Sequence, residues 1–167
     1  MSEEDGAASA GLDELRAEID ALRTELDRLR AEREIARSLM AFARGMDSRD
    51  WEAVRAIMID DAVGEFGRGP EVGADRVVES IREYLDVCGP TQHLLGNIVV
   101  DVDGDTARSR AYVSDMHLGA GDRSAVTFST LGEYHDEWVR VDGRWRMSAR
   151  TKESRAVLGS FDVFRPD

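Results

Sequence analysis

The chain reads as an α+β protein in which three helices cover one face of an antiparallel sheet, preceded by a coiled-coil helix. Three observations predict this. A leucine-rich heptad occupies the N-terminal fifth, helical periodicities follow it, and the remainder is a run of extended segments punctuated by two Asp-Gly turns.

Residues 1–11 are small and acidic and are expected to be a disordered tail. From Leu12 the pattern changes: Leu12, Leu15, Ile19, Leu22, Leu26 and Leu29 are spaced as the a and d positions of a heptad, predicting a coiled-coil helix over 12–34. The e positions are then Arg16, Arg23 and Arg30, and the g positions Glu18, Glu25 and Glu32. In a parallel homo-oligomer Glu18 faces Arg23 and Glu25 faces Arg30 of the neighbour, whereas an antiparallel pairing sets like charges together. A parallel dimer or trimer is therefore expected; the competing reading is an amphipathic helix lying on its own domain.

The second domain, 35–167, opens with Ile35, Leu39 and Phe42 at helical spacing, leading to Asp47. A short helix is expected from Trp51 to Met58, with Asp50 as its cap, then an extended piece from Ala62 to Phe66. Val77, Ile81 and Leu85 predict a third helix over 73–87. Leu94–Val102 and Thr106–Leu118 flank Asp103-Gly104-Asp105, and Ala125–Val141 and Arg144–Thr151 flank Asp142-Gly143, so each pair predicts a β-hairpin.

The formal net charge of −12 argues against nucleic acid or an anionic membrane as partner, since both require a basic face. The acidic N-terminus has no apolar stretch of the signal-peptide kind and no span of about 18 apolar residues occurs, so a cytoplasmic location is expected. The single cysteine, Cys88, excludes an intrachain disulfide and multi-cysteine metal sites, and reads as a small buried hydrophobe. The three histidines lack metal-ligand spacing, and neither a phosphate-binding glycine loop nor a Gly-x-Ser-x-Gly elbow is present, so no metal or cofactor is expected.

The chemistry-bearing residues are Asp47, in Met46-Asp47-Ser48-Arg49-Asp50-Trp51, and His93, in Thr91-Gln92-His93-Leu94-Leu95-Gly96-Asn97. If the fold joins them, the carboxylate fixes the imidazole tautomer and stabilises the imidazolium formed when His93 takes a proton. Otherwise Asp47 ends a helix and His93 is a buried structural histidine. Asp115 and His117 are two apart on a predicted strand and share a face, as do Tyr134 and Asp136. His117 can assist a leaving hydroxyl with Asp115 tuning it, Tyr134 can polarise a carbonyl or be a core tyrosine, and Asp136 can pair with Arg150.

This arrangement resembles the nuclear transport factor 2-like superfamily, and within it the SnoaL-like group that includes scytalone dehydratase. The likeness spans about residues 34–164 and takes in Glu133-Tyr134-His135-Asp136, Val141-Asp142-Gly143-Arg144-Trp145-Arg146 and the tail Gly159-Ser160-Phe161-Asp162-Val163-Phe164-Arg165, which is similar to that dehydratase's C-terminal lid. The resemblance implies a cone-shaped domain enclosing an apolar pocket, with Asp47, His93 and His117 as catalytic residues and no cofactor. It implies a lyase that dehydrates a small cyclic or polyketide-like hydroxy-carbonyl compound; an isomerase or cyclase using the same base, or an oligomeric module binding an apolar ligand without catalysis, are the alternatives. The dehydratase's two substrate-holding tyrosines match Met46 and Phe66 here, which donate no hydrogen bond, so a different substrate is implied. Substrate-binding positions are thus Met46, Phe66, Asn97, Asp115, Tyr134 and Phe161.

Overall fold

In the computed structural model, which describes residues 3–165 with side chains from residue 11 onward, helix α1 runs unbroken over Glu3–Ser48. It is helical where a disordered tail was expected through residue 11; residues 1 and 2 lie outside the described residues. Among the described side chains the first buried one is Ala31, followed by Ile35, Leu39, Phe42 and Met46, a stripe at helical spacing that lies in the core. Upstream, residues 11–30 are exposed throughout, so the reading in which the heptad lies on its own domain is not what forms.

Helix α2 spans Trp51–Ala56, capped by Asp50, whose Oδ1 accepts the Ala53 N–H at 3.0 Å. The cap explains why Asp47 is available for other work. The turn between α1 and α2 is tight: a Cβ on Gly45 would lie 2.7 Å from Cγ2 of Val54, so only glycine lets the helices approach this closely. Helix α3, Ala74–Leu85, buries Val77, Val78, Ile81 and Leu85.

Six strands form one sheet in the order β2-β1-β6-β5-β4-β3, with β1 at Met58–Glu65, β2 at Pro70–Val72, β3 at Cys88–Asp103, β4 at Thr106–Gly119, β5 at Thr127–Val141 and β6 at Arg144–Gly159. Both Asp-Gly hairpins form as expected. Four features differ from the expectation. The sheet is mixed, because β1 runs parallel to β6 after returning through the helices. Strand β6 continues eight residues beyond Thr151, and β2 pairs with the end of β1. Met58 opens β1 rather than closing α2.

Strands of 14 to 16 residues are long for a small domain, and they do not stay flat. Register shifts between Gly96 and Val99, Leu131 and Gly132, and Glu137 and Trp138 bend the sheet, as β-bulges do. The curved sheet wraps α1 and α3, and the core of Phe42, Leu39, Val77, Trp138, Trp145 and Met147 fills one end of the resulting cone. The other end is left open for a cavity. No helix among the described residues is long and apolar enough to cross a membrane.

Candidate active site

Asp47 stands on the last turn of α1, and Arg49 ends that helix with a left-handed φ of 61°. The twist brings the Arg49 guanidinium back to donate to the Met46 carbonyl (2.7 Å), the Gly89 carbonyl (3.2 Å) and Thr91 Oγ1 (2.9 Å), tying the helix end to the start of β3. Two residues along β3, His93 meets Asp47 twice. Its ring Nδ1 lies 2.7 Å from Oδ1, and its backbone N–H donates to Oδ2 at 3.0 Å. Thr91 Oγ1 donates to the same Oδ1 at 3.0 Å.

A carboxylate on Nδ1 requires the proton there, which leaves Nε2 as the lone-pair nitrogen of the neutral ring. Burial works to raise the Asp47 carboxyl, but the His93 ring and backbone, with Thr91, outweigh it and hold the group below the usual carboxylate range. Asp47 is therefore a fixed anion behind the imidazole.

The His93 ring forms part of the wall of a cavity of about 440 Å³ enclosed by α1, α3, the sheet and the C-terminal turn. That volume is in the range of small-molecule sites. Its lining is chiefly apolar: Met46, Phe66, Ile81, Leu85, Phe128 and Phe164 are on it, with His117, Tyr134 and Phe161. The 3₁₀ turn Phe161–Phe164 closes one side, where Phe164 packs edge-on against Tyr84, Phe128 and His117 with ring centroids 5.1–5.2 Å apart.

The antiparallel register puts His93 opposite Asp115 and Thr91 opposite His117, so the two expected histidine sites are one site. The rings of His93 and His117 meet edge-on at 5.3 Å. Their partners differ, however. Asp115 accepts the Thr130 N–H and Oγ1–H, each at 2.7 Å, and Lys152 Nζ at 2.5 Å, while His117 Nδ1 lies 3.7 Å away. His117 instead donates from Nδ1 to the Phe128 carbonyl at 3.3 Å. Burial pushes the His117 imidazole down to about 4 despite the Asp115 charge, so it is neutral at physiological pH. Asp115 is also lowered, for a different reason: burial raises its carboxyl, but the Lys152 ammonium and the Thr130 hydroxyl bring it below the usual range.

Two placements correct the sequence expectation. Asp115 is not on the cavity wall; it lies beneath it, and the group it presents to the cavity is Lys152. Asn97 is also off the wall, exposed at the β3 bulge with a φ of 49°, because the extra residue there turns its side chain out of the alternation. Met46, Phe66, Tyr134 and Phe161 do line the cavity, as do both histidines. Tyr134 is stacked on the Arg150 guanidinium at 4.1 Å, and burial drives its phenol well up, so it stays protonated and can donate.

Lys152 and Ser154 went unread in the sequence because β6 was expected to end at Thr151. Alternation from Arg150 through Lys152 to Ser154 was the available signal. Asp136 and Arg150 do form the expected pair, at 2.7 and 3.0 Å, buried and braced by Ser109. Cys88 is half-buried, with its thiol on the Tyr84 carbonyl and raised by burial, which suits packing rather than nucleophilic attack. No cluster able to hold a metal is found among the described residues.

The comparisons agree with the fold so described. The SnoaL-like domain family matches residues 27–151. The uncharacterized protein Rv2910c of Mycobacterium tuberculosis is 30% identical over 121 residues, which covers 68% of this chain and 78% of that protein. Among solved structures, a provisionally assigned scytalone dehydratase from Novosphingobium aromaticivorans superposes with a TM-score of 0.73 at 22% identity, covering 80% of this chain and 90% of that one. A hexachlorocyclohexane dehydrochlorinase, LinA type 3 of Novosphingobium barchaimii, gives 0.73 at 19% identity, covering 82% and 94%. The chain belongs to the SnoaL-like domain family of the nuclear transport factor 2-like superfamily.

Proposed function

We propose that this protein is a cofactor-independent lyase that dehydrates a small, largely apolar hydroxy-carbonyl compound, with His93 as the general base. The observation that carries this reading is the double contact of Asp47 with His93, which turns the bare Nε2 toward an apolar cavity. Nε2 takes the proton from the carbon next to the carbonyl, and the fixed Asp47 anion stabilises the imidazolium that results. The electron pair left behind forms the new carbon–carbon double bond as the hydroxyl on the next carbon departs as water, taking a proton from Lys152 or Tyr134 on the cavity wall.

Lys152 and Tyr134 are the donors on the wall suited to the carbonyl oxygen or the departing hydroxyl, the role for which Met46 and Phe66 have no hydrogen to offer. His117, neutral and with Nδ1–H committed to Phe128, is better fitted to accept a substrate hydroxyl at Nε2 than to protonate a leaving group. General base catalysis of this kind contributes about 10²–10⁴-fold. Positioning in a dry cavity must supply the rest. The two structural relatives named above carry eliminations of water and of hydrogen chloride in their names, which supports elimination as the reaction class.

The test is deuterium uptake. A panel of cyclic β-hydroxy ketones is incubated with the protein in D₂O and followed by NMR for exchange at the carbon next to the carbonyl and for the conjugated product. Exchange with loss of water is the expected result, and both should collapse in His93→Ala and weaken in Asp47→Asn. Exchange without loss of water would reassign the protein as an isomerase. Tight binding with no exchange would make it a ligand-holding module and end the enzymatic reading.

A further inference from the structure

The apolar seam of α1 is unaccounted for by the domain that carries it. Leu12, Leu15, Ile19, Leu22, Leu26 and Leu29 are 39 to 62% exposed. Six such side chains in one stripe on a free-standing helix of roughly 30 Å form an unusual surface. Helices in proteins draw most of their stability from packing an apolar face, and this segment finds no such packing on its own domain.

The rest of the helix says which way the seam faces. Ala31 and Ile35, which anchor α1 on the sheet, are buried, and they lie about 200–240° round the helix from Leu29 at the standard turn per residue. The seam therefore points away from its own domain. It continues in phase past the anchor, where Met40, the next-but-one a position after Leu26, is still 45% exposed.

We infer that this stripe is the interface of a parallel, in-register coiled coil with a second copy of the chain. Charge selects that occupant. The flanking e positions are all arginine and the g positions all glutamate, so a parallel copy sets Glu18 against Arg23 and Glu25 against Arg30 in both directions. Among the described residues, Arg16, Arg23 and Arg30 are held on their own helix by exposed pairs to Asp13, Asp20 and Asp27. Such pairs are weak and yield to a partner's glutamates at little cost.

A charge-reversal experiment on the full chain tests this. One variant carries Arg16→Glu, Arg23→Glu and Arg30→Glu, the other Glu18→Arg, Glu25→Arg and Glu32→Arg. Sedimentation should show the wild type as an oligomer, each variant alone shifted at least tenfold toward monomer, and the equimolar mixture restored. Leu12→Cys in a Cys88→Ser background should form an intermolecular disulfide under oxidation, which only a parallel, in-register pair permits at that end. Leu15→Glu with Leu22→Glu should give monomers whose tryptophan fluorescence is that of the folded domain. A monomeric wild type at tens of micromolar, assembly that survives Leu15→Glu with Leu22→Glu, failure of the mixture to recover, or no cross-link at Leu12→Cys would each overturn the inference. Survival in the seam variant would move the interface to the outer sheet face around Leu94, Leu131 and Leu158.

Discussion

Behind the cavity wall stand two aspartate–histidine neighbours with opposite outcomes. Asp47 gives one oxygen to the imidazole of His93 and the other to its backbone N–H, and so governs the ring completely. Asp115 stands directly across from His93 and two residues from His117, yet its oxygens go to Thr130 and Lys152. His117 turns to a carbonyl instead, and burial leaves it unable to hold a proton near neutrality. On the proposed reading, the same two residue types beside one pocket make a base at one place and a neutral polar wall at the other. What decides the difference is which donor reaches the carboxylate first, not the presence of the pair.

The comparison can be broken at its strong end. His93→Ala should lower turnover of any compound the wild type dehydrates by about 10²–10⁴-fold, while leaving the melting temperature within a few degrees. His117→Gln, which keeps a neutral side chain able to hydrogen-bond, should cost no more than about tenfold, and equal losses at the two positions would erase the distinction.

At the other pair the expected effect falls on stability. Lys152→Met strips Asp115 of its cation and leaves a buried charge unpaired, a loss of about 3–5 kcal/mol in chemical denaturation. Adding Asp115→Asn should recover most of that stability without recovering turnover, since the donor on the wall is still missing. Recovery of both would reduce Lys152 to a structural role.

Acid should distinguish the histidines further. A His117 held near 4 when folded binds its proton less readily than in the unfolded chain, where it titrates near 6.5. Its contribution is complete above about pH 6.5 and is lost as pH falls toward 4, by up to about 3 kcal/mol. In His117→Gln the fall in stability across that window should be shallower. The smallest effect is expected at Thr91→Val, which removes one of three hydrogen bonds to Asp47 and should reduce turnover only a fewfold.

The parts of this molecule written in local pattern were legible. The Asp-Gly turns named both long hairpins, the spacing of Val77, Ile81 and Leu85 marked α3, and Asp50 as the better cap left Asp47 available. The likeness to a known family, rather than any local signal, put Asp47 beside His93. Direction and extent were harder to see. Nothing local to Met58–Glu65 says that it will lie parallel to β6, because pairing direction is set by the path the chain takes through α3. Lys152 was hidden for a related reason. It sits among Thr151, Glu153 and Ser154 in a polar stretch that looks like a strand's end, and its meaning comes from Asp115, 37 residues away in sequence and two strands over in the sheet. Register across a sheet, not composition along a strand, made it part of the site.

The measurement that reaches the central claim most directly is the tautomer of His93, read from ¹⁵N–¹H correlation spectra of uniformly labelled protein at neutral pH. The account predicts a proton on Nδ1 and a bare Nε2, with that preference lost in Asp47→Ala. A proton resident on Nε2 in the wild type would contradict it, because the nitrogen facing the cavity would then have no lone pair with which to take a proton from carbon.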